Sequence, residues 1–122
     1  MAAIILAVGA LWCAFAVAAG AFGAHALAER LDVRSLALWE TAARCLIYGG
    51  LGSALVGIAG IQWPRTGFDL AGIALLAGAA VFSGTVGAIA LGAPRWLGAI
   101  TPIGGLLMIA GFLVFAWTAL RL

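Results

Sequence analysis

The sequence has no lysine, one histidine, one tyrosine and only four acidic residues among its 122 positions. Charged side chains make up 8% of the chain and hydrophobic ones 66%, whereas an average soluble domain carries roughly 25% charged residues. A domain of this length has too little interior to hide that much apolar surface. Water is therefore excluded as the main solvent, and a bilayer takes its place. The missing lysines and a net charge of only +2 exclude the basic footprint that nucleic-acid binding needs.

The scarcity of other polar groups excludes more. A lone histidine with no cysteine or carboxylate at ligand spacing does not make a metal site, and His25 is the only imidazole that could serve haem. The two cysteines, Cys13 and Cys45, fall in apolar stretches and read as small hydrophobes. There is no nucleophile elbow, no pair of carboxylates within a span and no glycine-rich phosphate loop. The expectation is a protein that is not an enzyme and has no catalytic residues, cofactor or metal. No charge falls near a predicted bilayer midplane, where an ion-coupled transporter would need one.

What remains is four apolar runs separated by charges and turn residues. Their bounds are about 2–24, 36–61, 67–91 and 102–121, and each is long enough to cross a hydrocarbon core that needs about 20 residues. The first run could be a cleaved signal peptide. It lacks a basic leading segment and is longer than a usual signal core, so a retained helix is preferred. Ser35 is placed to cap the second helix. Thr66 and Asp69 have the spacing of a capping box at the third. The fourth could begin at Pro94, or at Thr101 with Pro102 in the first turn; the second start is favoured and leaves "PRWLGAI" as an interfacial turn. The reading is an all-α fold, a single transmembrane domain built as an integral-membrane four-helix bundle.

Lipid is as apolar as leucine, so small residues that allow close van der Waals contact must hold such helices together. Rows of them recur: Ala10, Ala14 and Ala18 on the first helix; Gly49, Ser53 and Gly57 on the second; Ala79, Ser83 and Gly87 beside Ala80, Gly84 and Ala88 on the third; Gly104, Gly105 and Gly111 on the fourth. Serine and threonine in such helices usually bond the carbonyl one turn back, and Ser53, Ser83, Thr85 and Thr118 are read as packing residues. Trp39, Trp63 and Trp96 fall at helix ends, where interfacial rings belong. Trp12 falls mid-span and should face protein or a partner.

The polar chemistry gathers in one stretch. Residues 22–44 hold the histidine, three of the six arginines and three of the four acids. Glu40 and Arg44 have the favourable helical order for an ion pair. The plain reading is an interfacial salt bridge; the functional one is an anion or lipid-headgroup site on a rim with Arg95. His25 is read as structural, bonded to the second helix or to the "PRWLGAI" turn. Arg30, Arg34, Arg44 and Arg95 share one side and Arg65 and Arg121 the other, which puts both termini outside the cytoplasm.

Three stretches, "FGAHAL" (22–27), "WETA" (39–42) and "LGAITPIGG" (97–105), with "FSG" (82–84) before the last, resemble the YgdD-like family of small inner-membrane proteins, known as domain-of-unknown-function family 423. The resemblance covers nearly the whole chain. It implies four transmembrane helices in the bacterial inner membrane and no established activity. Where that family typically has histidine after Tyr48, and a tyrosine after "FSG", this chain has Gly49 and Gly87. Those two glycines would open a groove for a partner helix, a lipid tail or a cofactor tail. The favoured function is an accessory or structural subunit that packs against a larger membrane complex, or a homo-oligomer, through Trp12, Gly49, Ser53, Gly57 and Gly87. The alternative is lipid or small-molecule binding, with transport as one form of it, at the rim of His25, Glu40, Arg44 and Arg95. Membrane lipids are the expected surroundings in either case.

Overall fold

A computed structural model describes all residues, Met1–Leu122. It is all-α. Helix α1 spans Ala2–Phe22 and runs on through a single π-helical turn, Gly23–Leu27. Helix α2 spans Val33–Gln62, α3 Thr66–Ala90 and α4 Thr101–Leu120, with a short 3₁₀ turn at Arg95–Ala99 before α4. All four helices are long and apolar enough to cross a membrane. Apolar residues and glycine dominate their interiors, and most of the charged residues collect near the helix ends.

The helix ends differ from the expectations in instructive ways. Helix α2 starts three residues earlier than Leu36, because Asp32 is the cap: its Oδ1 accepts from the Ser35 amide at 2.7 Å. Thr66 and Asp69 form no capping box. Arg65 holds the cap position without a side-chain bond, and Asp69 contributes only its charge to the first turn, where it suits the positive end of the helix dipole. Helix α3 stops as "GAP" suggests. Gly92 takes φ +104°, the Ala93 amide reaches the Ala88 carbonyl at 2.9 Å and the Gly92 amide the Ile89 carbonyl at 3.0 Å. That is a Schellman ending, which a residue with a Cβ resists. Thr101 opens α4 with Pro102 in the first turn but accepts no capping bond.

Sequential helices pack against each other: α1 on α2, α2 on α3, α3 on α4. Helix α1 also touches α3 and α4 touches α2, but α1 and α4 do not meet. Helices α2 and α3 are thus the central pair, with 39% of the most apolar window of each buried, against 17% for α1 and α4. Val56, Phe68, Ala71, Leu75, Ala79 and Met108 form the core, and Phe68 meets Phe115 edge-on at 5.9 Å. The contacts are close because glycines make them. A Cβ on Gly9 would lie 2.7 Å from the Gly50 carbonyl oxygen across α1–α2, and one on Gly78 would lie 2.7 Å from that of Gly104 across α3–α4. The first helix does not use the row Ala10, Ala14 and Ala18, which is exposed; it packs through Ile5, Gly9 and Ala16.

Candidate functional site

Helices α1 and α3 meet near the end that carries Met1. Ile5 lies against Gly72, and further along the Trp12 Nε1–H donates to the Leu76 carbonyl at 3.1 Å. Beyond that point, toward the end that carries His25, a cleft of about 360 Å³ lies between them with α2 as its floor. Its walls include Trp12, Phe15, Trp39, Ala42, Ser83 and Gly87. No charged side chain lines it. Ligand pockets of small-molecule size run from about 300 to 1,000 Å³.

Each wall is held by a local cause. Trp39, on the second turn of α2, reaches back across to α1, where its Nε1–H donates to the Ala19 carbonyl at 2.8 Å. The Cδ1–Nε1 edge of its ring lies against Gly23, where a Cβ would sit 2.6 Å from the ring carbon Cδ1. Phe22 supports it edge-on at 6.4 Å. The "FGAHAL" stretch thus supplies an aromatic neighbour, a glycine that lets the indole edge approach, and the π turn, a rare element often found at functional sites. Both indole N–H groups at the cleft are committed to backbone carbonyls, so these rings offer it their apolar surfaces.

Ser83 is the exception among the buried hydroxyls. Thr41, Ser53, Thr85 and Thr118 each donate to the carbonyl four residues before, at 2.7–3.0 Å. The Ser83 oxygen is buried and has no hydrogen-bond partner. An unpaired buried hydroxyl costs about 1–3 kcal/mol, and this one belongs to the wall of the cleft. Thr85 is more than a packing residue: its hydroxyl meets that of Thr101 at 2.6 Å and links α3 to α4.

The other expected site residues are distributed differently. Gly49, Ser53 and Gly57 are buried inside the bundle and present no surface to a partner. Gly57 lies against Leu6 of α1, and a Cβ on Gly49 would collide with that of Ala79 on α3. Gly49 therefore opens no groove; it lets α2 and α3 approach. Gly87 does line the cleft, with room for a Cβ at 3.7–3.8 Å from Trp39 and Ala42. Trp12 faces protein, as its mid-span position requires. His25, Glu40, Arg44 and Arg95 are all exposed at one end of the bundle. Glu40 and Arg44 form no ion pair, since no arginine nitrogen comes within 4.0 Å of a carboxylate oxygen. None of the four lines the cleft.

A second groove, of about 540 Å³, lies between α2 and α4 and is walled by Leu51, Leu55, Phe82, Met108 and Phe112, with Tyr48 and Cys45 beside them. No unpartnered buried hydroxyl belongs to it, which leaves the α1–α3 cleft as the candidate site. Sequence reasoning missed Trp39 and Ser83 there. Glycine at 23 opposite a helix-end tryptophan was the available signal for Trp39. For Ser83 there was none, because its spacing resembles that of its back-bonded neighbours.

The cleft and the turn that builds it lie mostly in the part of the chain that matches a known family. Residues 19–105 match the family described as "Protein of unknown function (DUF423)". The chain belongs to the DUF423 family. A UPF0382 membrane protein of Staphylococcus epidermidis (strain ATCC 12228 / FDA PCI 1200) is 39% identical over 118 residues, which is 97% of this chain and 96% of that protein. A UPF0382 membrane protein of Staphylococcus haemolyticus (strain JCSC1435) is 40% identical over 111 residues, 91% and 90% of the two chains. No solved structure matches. The DUF423 match begins at the residue whose carbonyl receives Trp39 and takes in every cleft residue from Ala19 to Gly87; Trp12 and Phe15 precede it.

Proposed function

We propose that this DUF423 protein is a non-catalytic protein of the bacterial inner (cytoplasmic) membrane that holds a lipid or hydrophobic small molecule in the α1–α3 cleft. The observation that carries the reading is the Ser83 hydroxyl, unpaired in the wall of an aromatic cleft; a bound molecule would supply the missing partner. The other arrangement, an accessory subunit of a larger complex or a homo-oligomer, draws no support from the glycine rows, because Gly49, Ser53 and Gly57 are spent on the chain's own helices. A partner would have to use the outer faces of the helices, where Ile4, Leu55, Leu70 and Leu113 are exposed as residues facing lipid are.

Native mass spectrometry of the chain purified in mild detergent tests this. The expected result is one small adduct per chain, lost in Gly84→Leu. That substitution fills the cleft from a position where a Cβ meets nothing within 4 Å. A co-migrating polypeptide with no small adduct would favour the accessory role and overturn cleft binding.

A further inference from the structure

Resting on that reading, we propose that the molecule in the cleft is a neutral, ring-headed lipid whose planar ring carries a carbonyl acceptor, the chemistry of a quinone. Four features select this class. The cleft has no charged residue, so nothing in it would compensate a phosphate brought below the interface, where an unpaired charge is expensive. The arginines do not repair this, because Arg44 and Arg95 are exposed outside it. Trp12, Trp39 and Phe15 line it, and both indoles are fixed by their N–H bonds to Leu76 and Ala19. Fixed aromatic rings favour a planar ring, which pairs with them offset or edge-to-face, over a flexible acyl chain, which gains no such geometry. The single uncommitted polar group is the Ser83 hydroxyl. Turned about its Cα–Cβ bond into the cleft, it donates one hydrogen bond, which matches a ring carbonyl. A volume of about 360 Å³ holds a ring and the first part of its tail but not two acyl chains with their headgroup. The tail would leave between α1 and α3 into the bilayer. Binding of this kind moves neither electron nor proton.

The test uses the full chain in detergent with Trp63, Trp96 and Trp117 changed to Phe, so that only Trp12 and Trp39 fluoresce, titrated with a decyl-substituted benzoquinone. The expected result is saturable quenching above the linear quenching due to partition into the micelle. Gly84→Leu should remove the saturable part, and Ser83→Ala should weaken it about five- to tenfold, the loss of one hydrogen bond. Quenching that stays linear, or is unchanged in Gly84→Leu, overturns the quinone-class assignment, and unchanged affinity in Ser83→Ala overturns the role given to that hydroxyl. The native mass spectrum separates the two levels. A stoichiometric phospholipid adduct that the quinone does not displace leaves cleft binding standing and sinks the ring-lipid assignment. Absence of both adduct and saturable quenching sinks both.

Discussion

At the scale of single residues, glycines of equal appearance in the sequence do opposite things. A Cβ on Gly57 would fall 2.7 Å from the backbone nitrogen of Leu6, whereas one on Gly84 meets nothing. Gly57→Ala must push α1 away from α2, and overpacking of that kind costs about 1–3 kcal/mol. Thermal unfolding in detergent should show a clearly lowered midpoint for Gly57→Ala. Gly84→Ala, which relieves the poor helix propensity of glycine, should leave the midpoint unchanged or raise it. Equal midpoints would mean that α1 is not seated on Gly57 as described. The rows were legible in the sequence as packing devices, but which neighbour each residue meets was not. A four-residue spacing fixes a stripe on one helix and says nothing of how the second helix is turned about its own axis. Hence Gly49 and Gly87, alike as small replacements, separate into a helix contact and a cleft wall.

At the scale of elements, the four spans were readable because about 20 apolar residues without charge have one stable form in lipid. Their ends were less so, because several polar residues compete for each cap. At α2 the winner is Asp32. The Ser35 amide, with a smaller contribution from Arg34, holds its carboxyl below the ordinary carboxylate range. A lowered pKa in the folded state means that the cap's stabilisation is present above the unfolded value and is lost as pH falls through the folded one. The protection factors of the Val33–Leu36 amides against hydrogen exchange, taken relative to the intrinsic rate at each pH, should therefore fall when the pH drops below the usual carboxylate range. Asp32→Asn should keep its protection throughout, and Asp32→Ala should show low protection at every pH. The Thr85–Thr101 link is an element-scale contact that no spacing reveals, since its partners lie on different helices and come within 2.6 Å only after α3 and α4 dock. A double-mutant cycle with Thr85→Val and Thr101→Val should give a coupling of about 0.6 kcal/mol, the usual size for hydrogen bonds between membrane helices. Zero coupling would show that each hydroxyl is satisfied by its own helix.

For the whole molecule, the decisive feature is that α1 and α4 never touch. A closed ring of four helices would have buried the cleft between α1 and α3; the zigzag leaves it open to lipid along its length and places its tryptophan-bearing end near the charged connections. The expected orientation of that end rests on arginine placement alone. Arg30, Arg34, Arg44 and Arg95 are exposed at the end reached by α1 and α3, and Arg65 and Arg121 are exposed at the other. Acids gather at the first end too, as Glu29, Asp32 and Glu40, but carboxylates contribute little to topology, so they do not cancel the bias. The expected orientation has the two connections in the cytoplasm and both termini outside. A C-terminal alkaline phosphatase fusion should then be active, and a C-terminal fluorescent protein that folds only in the cytoplasm should be dark. Replacing Arg30, Arg34 and Arg95 with serine leaves Arg44 against Arg65 and Arg121, so the same two reporters should shift toward a mixed or inverted population. A bright C-terminal fusion on the unaltered chain would reverse the orientation and put the tryptophan-bearing end of the cleft on the outer side.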